Sequence, residues 1–117
     1  MTKISSYSKY LCYRKNKLFL EDISLEQIGA NFSTPVYCYS VSQIEHNFNL
    51  LKSSFKKIKP LICYAMKANF NSEILKILSR LGSGIDVVSS GELKKSLKLG
   101  VNKKKIVFSG VGKTSCE

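Results

Sequence analysis

An alternation of apolar strands and amphipathic helices from Leu61 onward constrains the fold more than any other feature of the sequence. Strand segments begin at Leu61, Gly84 and Lys105, and a helix with short connections separates each from the next. This order is typical of consecutive βαβ units in a parallel sheet. Right-handed crossovers place the helices on one side and gather the carboxyl ends of the strands at one rim. The sequence therefore predicts an α/β fold that binds its ligand at that rim.

Helix boundaries are marked by side chains that can bind free backbone groups. Serine followed three residues later by glutamine or glutamate has the form of a capping box, and glycine after an apolar run ends a helix. The helix that starts at Ser40 is predicted to run to about Phe55, because apolar side chains recur along it every three or four residues. The predicted N-caps are Ser24, Ser40 with Gln43, Asn71 or Ser72, and Ser89 with Glu92; the predicted terminating glycines are Gly29, Gly82 and Gly100.

The first third of the chain carries weaker signals. Residues 1–17 are predicted to be a loose lead-in, and Leu18–Leu20 is predicted to be a short strand. The Thr34-Pro35 pair forces an extended entry into the next segment. Val36–Tyr39 is predicted to be a second strand, because β-branched and aromatic side chains favour strands.

Lys67 closes the apolar run that starts at Leu61. Side chains alternate along a strand, so Lys67 is expected to share a face with Cys63 and Ala65. One interpretation is a strand-end lysine whose stem reaches out to water. The other is a lysine whose pKa is lowered by desolvation, so that its free amine can form a Schiff base. The second interpretation makes Lys67 a catalytic residue.

Two acidic residues stand at or after the end of the following predicted strand. Asp86 lies between Ile85 and Val87, and a buried carboxylate needs a partner or a water-lined site. An aspartate that faces solvent at the strand end is the other interpretation. Glu92 is explained by its capping box without any further role.

Composition excludes several classes of protein. The chain has 117 residues, of which 44% are hydrophobic and 23% charged, as in ordinary soluble domains. It has no apolar run near the ~20 residues of a membrane span and no secretory signal, which predicts a cytoplasmic protein with no membrane partner. The net charge of +11 comes almost entirely from lysine, whereas arginine is the usual reader of bases, so no specific nucleic-acid partner is expected. Four scattered cysteines and one histidine form no metal-ligand pattern and predict reduced thiols.

The glycine-rich turn Gly110–Thr114 looks like a phosphate-binding loop. A P-loop would require glycine at position 107, where Val107 stands in a predicted strand. ATP binding is therefore not predicted. Lys113 is a second candidate amine, but a lysine in such a turn is expected to be solvated.

Four segments resemble, in order and spacing, the alanine-racemase-like (fold type III) pyridoxal-phosphate decarboxylases, and most closely the diaminopimelate decarboxylase family. Tyr64–Asn69, reading Tyr-Ala-Met-Lys-Ala-Asn, is similar to the cofactor-lysine motif of that family. Gly84–Leu93 is similar to its Gly-x-Asp-Val-Val-Ser-Gly-Gly-Glu-Leu block, with Ser90 in place of a glycine. Thr34–Tyr37 and Ile106–Glu117 match the entry to the barrel and a later strand–helix turn.

The resemblance implies an α/β fold that is the N-terminal portion of a pyridoxal-phosphate-binding (β/α)₈ TIM-like barrel, with a C-terminal β domain missing. It implies that Lys67 is catalytic and carries pyridoxal 5'-phosphate, and that Asp86 and Glu92 lie near the cofactor and influence the charge of Lys67. The implied reaction is decarboxylation of meso-2,6-diaminopimelate to L-lysine by a homodimer. Sister decarboxylases that act on ornithine, arginine or carboxynorspermidine remain open, as does an inactive truncated product.

The same interpretation divides the chain into a lead-in, residues 1–35, and the first βα units of the barrel, residues 36–117. A complete barrel of this kind needs ~250 residues. The chain is therefore expected to be a fragment that is inactive by itself.

Overall fold

The chain divides into two compact units, Met1–Ile44 and Glu45–Glu117. The structure is a computed structural model, and it describes residues 9–111 and 114. Within these residues no helix is both long and apolar enough to cross a membrane.

The first unit contains an antiparallel sheet of three strands, β1 (Leu11–Arg14), β2 (Lys17–Leu20) and β3 (Ile23–Ser24). Lys15 and Asn16 form the turn between β1 and β2, with positive φ angles of 47° and 63°. Such two-residue turns match the twist of the strands they join. The predicted strand at Leu18–Leu20 is confirmed. The prediction of a loose lead-in is wrong for β1, because that strand is stabilised by pairing with β2.

Helix α1 (Leu25–Asn31) follows β3, and the hydroxyl of Ser24 accepts a hydrogen bond from the Gln27 N–H at 3.2 Å. This confirms the predicted cap, but the helix continues past Gly29. The strand predicted at Val36–Tyr39 is wrong, since the segment has no strand structure in the part of the chain that the structure describes. A strand requires a neighbour for its backbone groups. Tyr37 is 90% exposed, so neither pairing nor burial holds the segment as a strand.

Helix α2 (Val41–Ser54) starts at a double cap. The Ser40 hydroxyl accepts from the Gln43 N–H at 2.9 Å, as the capping box predicts. The same hydroxyl donates to Glu21 Oε1 at 2.5 Å, and the Ser42 N–H donates to that oxygen at 3.1 Å. One carboxylate oxygen therefore satisfies a helix N–H and fixes the capping serine. Both hydrogen bonds lower the pKa of Glu21.

The second unit contains the predicted parallel sheet. Its strands are β4 (Cys63–Ala65), β5 (Gly84–Val87) and β6 (Ile106–Phe108), in that order, with α3 (Ser72–Arg80) and α4 (Ser90–Lys98) between them. Asn71 caps α3 and Ser89 caps α4 through their side-chain oxygens, as predicted. Gly82 and Gly100 follow the two helices with φ angles of +95° and +78°, which other residues rarely adopt.

The register of the sheet separates its two faces. Tyr64, Ile85 and Ile106 are aligned on one face, and Ala65, Asp86 and Val107 on the other. The first face packs against the helices in a core whose buried members are Met66, Leu75, Ile85, Val87 and Val101. The second face carries small or polar side chains for most of its length, and its outermost valine is 46% exposed. The apolar core therefore lies on one side of the sheet.

The apolar stripe predicted on α2 is less buried than its periodicity suggests. Phe48 is buried, whereas Val41, Leu51 and Phe55 are each 45% exposed. The helix nevertheless ends at Ser54, one residue from the predicted end. The periodic pattern thus predicts the helix correctly, but it does not identify which part of the stripe is covered.

Candidate active site

Lys67 lies just beyond the carboxyl end of β4. The strand ends at Ala65, and Met66–Ala68 forms a single turn of 3₁₀ helix that contacts β5. Lys67 is exposed, as in the first of its two interpretations, and it lies in this turn and not in a strand. Met66 enters the core, where it is 1% exposed, on the side that Tyr64 also contacts. The amine is therefore presented at the rim by a turn, and the described residues do not bury it.

Hydrogen bonds fix the segment that follows this turn. The Tyr64 hydroxyl donates to the backbone carbonyl of Asn69 at 3.3 Å. The Asn69 side chain accepts from the Asn71 N–H at 2.9 Å. Asn71 in turn accepts from the Glu73 N–H at 2.9 Å and starts α3. The short connection that carries Lys67 is thus anchored to β4 at one end and to α3 at the other.

Asp86 lies on the face of the sheet opposite the apolar core. It is paired with Ala65, two residues before Lys67. Its Oδ1 atom is buried and has no hydrogen-bond partner among the described residues. A buried carboxylate oxygen without a donor is unfavourable, so this position suits a cation or an N–H group brought by a ligand or by a lysine. The electrostatic prediction that Asp86 needs a partner is consistent with this geometry.

Cys63 stands beside Asp86 on the same face. Burial raises the pKa of the Cys63 thiol, and the negative charge of Asp86 raises it further. The thiol is therefore a neutral neighbour of the carboxylate rather than a nucleophile. The sequence did not single out Cys63, although its spacing of two from Ala65 places it on this face.

Glu92 is engaged in the cap of α4. Its N–H donates to the Ser89 hydroxyl at 3.2 Å, and its Oε2 accepts from the Val88 N–H at 2.8 Å. The serine half of the predicted capping box is therefore present, whereas the Glu92 side chain binds the N–H of Val88, one residue before the cap, instead of the N–H of Ser89. The cap places Glu92 at the same rim as Lys67 and Asp86. One of the two carboxylate oxygens of Glu92 accepts the hydrogen bond from Val88.

Two glycines allow close approach between neighbouring strands, Gly84 at the amino end of β5 and Gly110 after β6, at the rim. A Cβ atom on Gly84 would lie 2.5 Å from the Cys63 sulfur and 2.6 Å from the Lys105 carbonyl oxygen. A Cβ atom on Gly110 would collide with the carbonyl of Val88. The segments that follow β5 and β6 are therefore in backbone contact, as expected for strand ends that converge on one site.

The predicted rim is only partly described. Gly110 follows β6, but Lys113, the second candidate amine, and Ser115, the predicted start of a further helix, lie outside the described residues. No cluster of three or more potential metal ligands occurs in residues 9–111 and 114. The cysteines at positions 12, 38 and 63 are free.

An exposed primary amine, a buried carboxylate oxygen that lacks a donor, and close backbone approach at the carboxyl ends of parallel strands define a binding rim of the kind found in α/β barrels. Residues 41–117 match the family described as pyridoxal-dependent decarboxylase, pyridoxal binding domain. This match covers more than half of the chain, and the chain belongs to this family.

Individual relatives agree with this assignment. The diaminopimelate decarboxylase of Aquifex aeolicus is 44% identical over 117 residues, which are 100% of this chain and 27% of that protein. A crystal structure of an A. aeolicus protein covers 96% of this chain and 28% of its own at 45% identity, with a TM-score of 0.88. Diaminopimelate decarboxylase from M. jannaschii in co-complex with L-lysine covers 91% and 26% at 35% identity, with a TM-score of 0.86. The chain spans about a quarter of the length of these relatives.

These comparisons confirm the resemblance that the four motifs indicated. They also confirm the α/β fold of a pyridoxal-binding barrel domain and pyridoxal 5'-phosphate as the cofactor of the family. They assign no role to individual residues, so the roles of Lys67, Asp86 and Glu92 stay predictions. The residues present fit the cofactor, because Lys67 offers a primary amine and Asp86 an acceptor without a donor at the same rim.

Proposed function

We propose that the protein containing this chain decarboxylates meso-2,6-diaminopimelate to L-lysine, with pyridoxal 5'-phosphate held by Lys67. The observation that carries the proposal is the position of Lys67, which is the exposed amine of a turn anchored on both sides at the carboxyl rim. The names of the relatives support the substrate. The division into a lead-in, residues 1–35, and barrel units, residues 36–117, is part of the same proposal.

Each residue of this rim has a chemical task in the proposal. Lys67 Nζ would hold the cofactor through its primary amine and, when free, would carry a proton to or from the reacting carbon. Asp86 Oδ1, which lacks a donor, offers an acceptor for an N–H group of the cofactor or of an amine at the rim. Glu92 keeps the start of α4 in place and adds negative charge at the rim. The cofactor, when bound, supplies an electron-withdrawing ring that stabilises the negative charge left as carbon dioxide departs.

Reductive trapping tests the cofactor site directly. The protein expressed from its own gene is incubated with pyridoxal phosphate, reduced with borohydride, and mapped by peptide mass spectrometry. The adduct is expected on Lys67 and is expected to disappear in Lys67→Ala. Lys94→Ala, which removes an exposed lysine from α4, serves as the matched control and is expected to keep the adduct. Label spread over surface lysines would contradict the assignment of Lys67.

Substrate competition tests the reaction. Release of carbon dioxide is compared for meso-2,6-diaminopimelate, ornithine, arginine and carboxynorspermidine, with the formation of L-lysine followed by chromatography. The largest kcat/KM is expected for meso-2,6-diaminopimelate. A preference for one of the other three amines would assign the chain to a sister decarboxylase, and trapping on Lys67 without any turnover would leave a cofactor-binding protein.

The proposal extends to assembly and location. The active form is a homodimer in the cytoplasm that takes a small amino acid and has no specific nucleic-acid or membrane partner. The free thiols at positions 12, 38 and 63 support a reducing compartment. Light scattering of the expressed protein coupled to size exclusion measures the assembly, and a monomer with full activity would refute the dimer.

A further inference from the structure

Helix α4 contacts the Lys67 segment on both sides of the lysine. One residue before Lys67, the sulfur of Met66 accepts a hydrogen bond from the Ser96 hydroxyl, with an O···S distance of 3.6 Å. Three residues after Lys67, the ring of Phe70 lies under the Lys95 ammonium, 4.8 Å from the ring centroid. Two consecutive residues of α4 therefore hold the two ends of the segment that presents the amine.

Ser96 is a polar residue that is fully buried in the core. Ser96 is 0% exposed and Met66 is 1% exposed, so this hydrogen bond lies inside the core. A serine within a helix commonly bonds to a carbonyl one turn earlier, whereas a thioether sulfur is a weak acceptor. Alanine would fill a small buried helix position without any polar group to satisfy. The function of the Ser96 hydroxyl is therefore better explained by its hydrogen bond to Met66 than by any contribution to the stability of α4.

We infer that Ser96 is a positioning residue for Lys67. Its hydroxyl fixes the Met66 side chain, which fixes the 3₁₀ turn Met66–Ala68 and hence the direction in which the amine leaves the backbone. The contact between Lys95 and Phe70 acts on the other end of the segment. It is the weaker of the two holds, because Phe70 is 66% exposed and solvent weakens a cation–π contact.

The inference rests on the proposed function for what the amine does, but the hold on the turn exists without the cofactor. It predicts that loss of either partner of the Ser96–Met66 contact changes the chemical behaviour of the Lys67 amine. It also predicts that the two losses are not additive, because each breaks the same contact. A residue that merely fills space would change the stability of the protein and leave the reactivity of the amine as it was.

A double-mutant cycle on the cofactor-free protein, expressed from its own gene, tests this. The variants are Ser96→Ala, Met66→Leu and their combination, and Met66→Leu conserves volume. The rate at which trinitrobenzenesulfonate labels Lys67 is measured by peptide mapping, relative to the exposed Lys57 in the same molecule. Each single variant is expected to change this ratio about threefold or more, and the double variant no further than the larger single effect. Ser79→Ala, a change on α3 away from the turn, is the matched control and is expected to leave the ratio unchanged.

The outcomes separate this inference from the proposed function. The inference would be overturned if the Lys67/Lys57 labelling ratios of the Ser96 and Met66 variants equalled that of the Ser79→Ala control. It would also be overturned if the double variant changed the ratio by the product of the two single effects. Either result would show that Ser96 is a packing residue. Failure to trap the cofactor on Lys67 in the wild-type protein would refute the proposed function and leave the amine measurement interpretable. If Ser96→Ala does not fold, Ser96→Cys keeps a weak donor of similar size and is expected to retain a near wild-type ratio, while Met66→Leu still removes the acceptor.

Discussion

Replacement of Glu21 by glutamine is expected to destabilise the first unit of the protein at neutral pH. Glu21 Oε1 accepts hydrogen bonds from the Ser40 hydroxyl at 2.5 Å and the Ser42 N–H at 3.1 Å, at the N-terminus of α2. Glutamine keeps an acceptor oxygen but loses the charge. Hydrogen bonds to a charged group are worth about 1 kcal/mol more than neutral ones, and the helix dipole adds about 0.5 kcal/mol. Partial exposure reduces this sum, which leaves about 1 kcal/mol for Glu21→Gln.

The pH dependence of this difference has a definite sign. The two hydrogen bonds hold the pKa of Glu21 below its ordinary value in the folded protein. A carboxyl whose pKa is lowered by folding contributes stability that is present above its unfolded pKa and is lost as the pH falls through the folded pKa. The free-energy difference between wild type and Glu21→Gln should therefore be largest at neutral pH and vanish in acid.

Urea unfolding followed by circular dichroism at several pH values measures this difference. Asp22→Asn is the matched control, because the neighbouring Asp22 side chain is 91% exposed and forms an ion pair with Arg14 on the surface. Its effect is expected to be below about 0.5 kcal/mol. A difference for Glu21→Gln that stays constant down to acid pH, or one no larger than that of the control, would refute the electrostatic account of this cap.

Three further predictions concern the second unit. Leu75→Ala, at a core position that is 1% exposed, should lower the free energy of unfolding by about 2–5 kcal/mol in urea titrations, and a loss below about 1 kcal/mol would contradict the assigned core. Gly84→Ala should cost about 1–3 kcal/mol in the same titration, because the new methyl group would lie 2.5 Å from the Cys63 sulfur; an unchanged midpoint would mean that the strands separate easily. A thiol reagent at pH 8 should label the exposed Cys38 well before Cys63, because burial and the charge of Asp86 raise the pKa of the Cys63 thiol. Equal labelling rates of the two thiols would contradict a buried Cys63 beside a carboxylate.

Features that depend on a few neighbouring residues could be predicted from the sequence. The caps at Ser40, Asn71 and Ser89 are correct, because each requires one oxygen and an N–H two or three residues away. The βαβαβ order is correct for a similar reason, since strand length and helix period are local properties. The glycines after α3 and α4 were identified by their position after an apolar run.

Features that depend on distant partners could not be predicted in the same way. The hairpin of β1 turns through Lys15 and Asn16, whose sequence is not one of the common turn pairs. Val36–Tyr39 has the composition of a strand, but composition cannot supply a neighbour. Lys67 has the spacing of a strand residue, but the strand ends at Ala65 and Lys67 lies exposed in the turn that follows.

The candidate site was predicted in part for the same reason. The pattern predicts Lys67, residues 86–89 and residues 110–113 at one rim, because the carboxyl ends of parallel strands meet there, and only the family resemblance adds Glu92. The contact of Ser96 with Met66 joins residues that are 30 positions apart, and nothing local marks it. In the sequence, Ser96 is only a polar residue between Leu93 and Leu97 on an amphipathic helix, and such residues are usually solvated.

The two faces of the parallel sheet make its strands intolerant of changes in length. In β5, Ile85 and Val87 enter the core while Asp86 points to the opposite side. An insertion or deletion of one residue before Asp86 would exchange these sides, because side chains alternate along a strand. The carboxylate would then enter the apolar core, and an isoleucine or valine would take its place at the rim. A one-codon insertion or deletion here would therefore remove the fold and the site in a single event, whereas the same change in the connection before the strand could be absorbed.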